Sequence, residues 1–322
     1  MLLDSPHTTI APFIRRIDLD CFEDWEGRGL HYVLPTLSAL PHVKAVVFYD
    51  TVSHSTTCDA MAAFLGGFAQ LTSLLFDNCI FGNRANLSKT LAGCSQLEHL
   101  KLEGTKIPFS KREESNNMSA HCPHIKSLRV VGCPTDCAPL EWLLSGSVPQ
   151  YFTTVRLLDI EEPATRSITR DLQSLADLKV LDVGFQNRNF DTAQSQDTFC
   201  RKFICNPQLQ VFSVHSLRVN GRQGSCVPRL LAKLTAPSIR TVIVGLRMRD
   251  VDDLDKLEWA GVDAILQRPN YARLHAFIIG FEDHVFGVGA TGWMKETFPL
   301  TFARGIAKIV RLDEEGNIDF QM

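Results

Sequence analysis

The chain has 322 residues, 45% of them hydrophobic and 21% charged, the composition of a folded globular protein and not of a disordered one. Its formal net charge is −3, without the basic excess that binding to phosphate backbones demands, so nucleic acid is not an expected partner. No apolar run approaches the roughly 20 residues of a membrane helix, and Met1-Leu2-Leu3-Asp4-Ser5-Pro6-His7 lacks the basic and apolar stretches of a secretory leader.

A cytoplasmic or nuclear location without membrane attachment is therefore expected. In such a reducing compartment the ten cysteines are expected as free thiols. The sequons Asn86-Leu87-Ser88 and Asn117-Met118-Ser119 then read as chance matches.

Residues 1–13 form a lead-in, and from there one apolar signature, Φ-x-x-Φ-x-Φ, recurs along the chain. It reads Ile14/Ile17/Leu19, Val43/Val46/Phe48, Leu71/Leu74/Phe76, Leu97/Leu100/Leu102 and Ile125/Leu128/Val130. It continues as Val155/Leu158/Ile160, Leu178/Leu181/Val183, Leu209/Phe212/Val214, Ile239/Val242/Val244 and Leu274/Phe277/Ile279, with a degraded eleventh copy at Ile306/Ile309. First positions are separated by 29, 28, 26, 28, 30, 23, 31, 30 and 35 residues. The period and the L-x-x-L-x-L core match leucine-rich repeats.

The second and third apolar positions are two apart, so on a strand both face inward. Segments between signatures carry helical spacing, for example Phe64/Leu65/Phe68, Leu87/Leu91 and Leu230/Leu231/Leu234. One strand plus one helix cannot bury its own apolar face, whereas stacked copies share a core. The expectation is an α/β leucine-rich-repeat solenoid, an arc or horseshoe of about ten or eleven repeats with a parallel concave sheet and convex helices. It occupies residues 1–322 as a single domain, with 281–322 as an irregular C-terminal cap.

The outward strand positions predict a recognition surface. Asp18, Asp20, Asp77, Glu103, Asp159, Glu161 and Asp182 fall there against Arg16, Lys101 and Arg129, with Tyr49 as an aromatic anchor. The acidic excess predicts a protein partner that presents a basic segment. Toward the last copies the outward residues become apolar and small, ending Ala276/Ile278/Gly280. Such an end is expected to be covered, by another chain or by this chain's own C-terminal segment.

No motif establishes chemistry. Gly287-Val288-Gly289-Ala290-Thr291-Gly292 has the spacing of a dinucleotide loop but lacks its strand–turn–helix setting, and it is read as a glycine-rich loop. His121, Cys122, His124, Cys133 and Cys137 are residue types that zinc takes. However, Cys122 and Cys133 occupy the same repeat slots as Cys94 and Cys79, and buried core thiols are expected there. Asp250, Asp252, Asp253 and Asp255 read as the acidic start of a helix. His99 and His215 fall on the outward face with no partner assigned by sequence. No cofactor, metal or catalytic residue is expected.

Cys94-Ser95-Gln96-Leu97-Glu98-His99-Leu100-Lys101-Leu102 and Cys122-Pro123-His124-Ile125-Lys126-Ser127-Leu128-Arg129-Val130-Val131-Gly132-Cys133 resemble the cysteine-containing repeats of fungal F-box/leucine-rich-repeat proteins. Phe13-Ile14-Arg15-Arg16-Ile17-Asp18-Leu19 and Pro299-Leu300-Thr301-Phe302-Ala303-Arg304-Gly305-Ile306 are similar to the ends of that repeat region. The resemblance implies a non-enzymatic substrate-recognition module of a ubiquitin ligase. A cullin-RING adaptor is implied only if an F-box lies outside this chain, because 13 residues before the first signature are too few for one. The alternatives are a leucine-rich-repeat inhibitor or regulator of an enzyme, and an enzyme using the 281–300 loop with His284.

Overall fold

Each apolar signature becomes a short strand in the computed structural model of the chain. The structure describes residues 10–20, 37–38, 40–53, 55–107, 123–132, 143, 151–160, 169–185, 192–218, 226–247, 254, 259, 261–281 and 290–313. The chain divides into two compact units, 1–152 and 153–322, and each is described by itself.

In the first unit, β1 (Arg16–Asp20), β2 (Ala45–Tyr49), β4 (Ser73–Asp77), β6 (His99–Glu103) and β7 (Ser127–Val131) pair side by side in chain order, all parallel. A second ladder, β3 (Val52–Ser53) with β5 (Ile80–Phe81), runs beside them. Helices α1 (Ser55–Gly66) and α2 (Arg84–Ala92) return the chain between strands, and the Asn83 side chain caps α2 by accepting from Asn86 N at 2.9 Å. Leu74, Leu100 and Leu128 are register partners and fully buried, as the repeat frame requires. Phe48 stacks on Phe76 at 5.4 Å between ring centroids, and Phe76 meets Phe81 edge-on at 5.0 Å, so aromatic rings fill the third apolar slot.

The turns after β2, β4, β6 and β7 share one backbone form. The residue following the strand takes a left-handed conformation: Asp50, Asn78, Gly104 and Gly132, with φ of 47°, 52°, 54° and 61°. Its N–H donates to the last carbonyl of the next strand, Asp50 to Asp77, Asn78 to Glu103 and Gly104 to Val131, at 2.7–2.9 Å. One residue further, Thr51, Cys79 and Thr105 are buried. Cys79 and Thr105 donate to Phe48 O (3.4 Å) and Phe76 O (3.1 Å) of the preceding repeat. This is the slot read from sequence as the place for a small, weakly polar side chain.

The second unit pairs β8 (Thr154–Ile160), β9 (Val180–Phe185), β10 (Val211–Arg218), β11 (Thr241–Arg247), β12 (Ala276–Phe281) and β13 (Ala307–Arg311), again parallel and in chain order. Its helices are α3 (Thr192–Lys202), α4 (Cys226–Lys233), α5 (Val262–Leu266), α6 (Ala290–Thr297) and α7 (Pro299–Ala303). Among the described residues, eleven strands therefore follow the repeat, five in one unit and six in the other. The fold is an α/β leucine-rich-repeat solenoid with a parallel sheet and returning helices.

One signature is corrected by a step. Val155 pairs with Leu181 and Leu157 with Val183, so the sixth copy reads Phe152/Val155/Leu157, all buried, and not Val155/Leu158/Ile160. Measured from Phe152, the two adjoining spacings become 27 and 26 residues in place of 30 and 23. Leu158 leaves the inward ladder, and a Cβ built on outward-facing Gly184 would stand 3.0 Å from its Cδ2. Asp159 then falls at the left-handed turn position, with φ of 55°, and not on an outward strand position.

At the far end, Leu312 is buried and its side chain lies where a Cβ on Gly280 would sit, 2.4 Å from Cδ1. Leu312, just beyond β13, thus fills the space beside Gly280 on the outward face.

Candidate recognition surface and a buried polar cluster

In the first unit the outward residues form rungs across the strands. Tyr49, Asp77, Glu103 and Val131 make one rung; Val47, Leu75, Lys101 and Arg129 make the next. Most are half-buried: Tyr49, Leu75, Asp77, Lys101, Glu103 and Arg129 all keep part of their surface. The charges are largely compensated within the face. Arg16 binds Asp18 through two hydrogen bonds, 2.6 and 3.0 Å. Lys101 Nζ lies 2.7 Å and Arg129 Nε 3.8 Å from Glu103 Oε1. Asp20 is exposed at the end of β1. Partial burial, then the neighbouring Glu103 and Asp50 carboxylates, raise the Asp77 carboxyl above the usual aspartate range, against the opposing pull of Lys101.

The second unit brings together residues that the sequence leaves apart. Arg156, Asp182 and Ser213 are register partners on β8, β9 and β10, and His215 stands two residues beyond Ser213 on the same face. Asp182, Ser213 and His215 are all buried. Ser213 Oγ is 2.5 Å from His215 Nε2, and Asp182 Oδ1 makes a close polar contact with the same nitrogen at 2.8 Å. Arg156 Nε is 3.9 Å from Asp182 Oδ2. Leu158 and Gly184, the latter the register partner of His215, supply an apolar flank.

These are the residue types of a serine-hydrolase triad without its wiring. A catalytic histidine takes the nucleophile on one ring nitrogen and the carboxylate on the other. Here both meet Nε2, and Nδ1 is buried with no hydrogen-bond partner among the described residues. In this structure both contacts therefore fall on one side of the imidazole ring.

Of the sequence-predicted surface residues, Asp18, Asp20, Tyr49, Asp77, Lys101, Glu103 and Arg129 lie on the outward face of the first unit. Asp182 is buried in the cluster, and Asp159 is exposed at the turn. Glu161 lies outside the described residues, as do His284, Asp250, Asp252, Asp253, Asp255, Gly287 and Gly289. Of the zinc candidates only His124 is described, its ring 4.5 Å from that of Tyr151. No group of three metal-ligating side chains occurs among the described residues.

Sequence reasoning misses Arg156, because the apolar pattern of the sixth copy also fits three residues later, at Val155/Leu158/Ile160. It also misses the pairing of Cys200 with Cys226, which form a disulfide. The expectation that all cysteines are free thiols fails at this pair, whose α3 and α4 positions face each other across consecutive repeats. Cys58, Cys79 and Cys94 are buried thiols. The only hint in the sequence is their separation of 26 residues, close to one period.

Among known proteins, no family model matches the chain, and no curated protein matches it. Solved structures do match; one is the crystal structure of a protein from Bacteroides fragilis, at 15% identity and a TM-score of 0.45, over 92% of this chain and 73% of that one. At that level the likeness carries no argument about function. No helix among the described residues is long and apolar enough to cross a membrane.

Proposed function

We propose that the chain is a non-enzymatic protein-recognition module working in the cytoplasm or nucleus, akin to the substrate-binding region of a fungal F-box receptor. The observation that carries this reading is the pair of rungs Tyr49/Asp77/Glu103 and Leu75/Lys101/Arg129. Together they place an aromatic ring, an aliphatic side chain and fixed charges on neighbouring strands at constant spacing. Parallel repeats present such side chains as one extended surface, the feature that repeat proteins use for binding. The partner is a protein segment with basic residues for Asp20 and Asp77. A cullin-RING adaptor enters only through an F-box outside this chain.

The test compares proteins captured from a lysate by the wild-type chain and by Asp77→Lys/Glu103→Lys. The reading predicts a partner held by the first and lost by the second, with association slowing as salt rises. A captured partner that ignores both the charge reversal and the salt would place recognition elsewhere.

A further inference from the structure

The Cys200–Cys226 bridge closes a loop of one repeat, and that loop contains the whole of β10, the strand that carries Ser213 and His215. Cys200 lies in the last turn of α3 and Cys226 opens α4, with Cα atoms 5.9 Å apart, inside the range that a disulfide spans without moving the backbone. One turn before Cys200, the buried Gln196 donates its amide to Ser216 O at 3.2 Å. Ser216 is the left-handed residue directly behind His215, with φ of 56°. The helix that holds one sulfur therefore also holds the turn that aims the histidine.

Cys226 Sγ lies 3.8 Å from Gln196 O, an acceptor within reach of a thiol at that position, and Arg229 reaches Asp197 across the same helix pair at 3.4 Å. Among the described residues the other free cysteines are Cys58, Cys79, Cys94 and the half-buried Cys205, whose thiol burial also raises. Cys94 is buried and its thiol pushed up to about 12, so it supplies little thiolate, and burial likewise raises Cys58.

We propose that Cys200 and Cys226 are a reversible redox clasp, oxidised by a low-molecular-weight disulfide of the glutathione class, that sets the order of β10 and of the Ser213–His215 pair it carries. This goes beyond the recognition reading and does not depend on it. One protein thiolate attacks a sulfur of the small disulfide, forming a mixed disulfide and expelling one small thiolate. The second protein thiolate then attacks the protein sulfur of that bond and expels the other. In sum, two protein thiols and one small disulfide give the protein disulfide and two small thiols. Because both cysteines are buried, exchange proceeds through local parting of α3 from α4.

The full chain is equilibrated at a series of glutathione disulfide to glutathione ratios, quenched in acid, alkylated in denaturant and digested for mass spectrometry, with parallel samples pulsed in deuterium. The Cys200–Cys226 linked peptide is expected to accumulate as the ratio rises and to vanish when excess glutathione is restored. Cys58, Cys79 and Cys94 remain alkylated throughout. Amide exchange across Val211–Arg218 slows at least threefold in the oxidised chain and becomes independent of the ratio in Cys226→Ser. Both cysteines alkylated at the highest ratio, separate glutathione adducts in place of the linked peptide, or equal exchange of β10 in the two states would each overturn the proposal. If Cys226→Ser does not fold, the wild-type comparison carries the test alone.

Discussion

His215 on β10 stands 2.8 Å from Asp182 on β9, both buried, and the ring nitrogen that meets the carboxylate also meets Ser213 Oγ. A carboxylate taken out of water needs such partners, and Arg156 Nε stands 3.9 Å from its other oxygen. His215→Ala is expected to lower stability by about 2–4 kcal/mol, because it removes a buried partner and leaves Asp182 poorly solvated. In a denaturation series, Asp182→Asn combined with His215→Ala should cost less than the two single losses added together. Additive losses would mean that the two side chains do not interact.

The left-handed turns make a second, finer prediction. A Cβ at Gly132 meets nothing closer than 4.0 Å, whereas one at Gly104 would stand 2.2 Å from Asn78 Oδ1. Both glycines have positive φ, so alanine at Gly132 should cost about 1–2 kcal/mol from backbone strain alone. Alanine at Gly104 should cost more, since Asn78 must also shift. Equal melting temperatures for the two variants would contradict this.

Alkaline solution should weaken the fold. The Cys94 thiol is pushed up to about 12 by burial, and burial also raises the Tyr271 hydroxyl, which donates to Leu231 O at 2.6 Å. Above the ordinary thiol value of roughly 8.5, the unfolded chain loses the Cys94 proton while the native chain keeps it. The native state then binds more protons, and stability falls as pH rises. Urea midpoints measured from pH 7.5 to 10.5 should decline, and Cys94→Ala should flatten part of that slope. In native protein at pH 8, Cys94 should resist alkylation until the chain unfolds.

The last helix is tied down by one carboxylate. Asp263 accepts from Leu300 N and Thr301 N at 2.9 Å each and from Thr301 Oγ1 at 2.5 Å, satisfying donors at the start of α7. Asp263→Ala is expected to cost about 1–2 kcal/mol and to raise amide exchange in Pro299–Ala303. Loss of stability without that local change would assign the cost elsewhere.

The repeat was legible because burial enforces it: Leu74, Leu100 and Leu128 repeat at the same strand place with no competing frame. The sixth copy was ambiguous, since Phe152/Val155/Leu157 and Val155/Leu158/Ile160 both satisfy the apolar pattern. Only pairing with β9 separates them. The sequence places Asp182 and His215 at outward positions but leaves their burial hidden, because that depends on what Leu158 and other side chains cover. Cys200 and Cys226 were invisible for a related reason. Their proximity depends on how helices of unequal repeats stack, which apolar spacing along one chain does not encode.

The hydrogen bonds from Asp50, Asn78 and Gly104 to the last carbonyl of the next strand give neighbouring repeats of the first unit equivalent junctions. Ala45 stands opposite Ser73, so removing residues 45–72 would join Lys44 to Ser73 and bring β4 into the place of β2, with Asn78 doing for the shortened array what Asp50 did before. Contacts in such arrays reach only the adjacent copy, so nothing distant would have to be rewritten. Gain or loss of a whole repeat would therefore lengthen or shorten the outward face while leaving each such junction as it was.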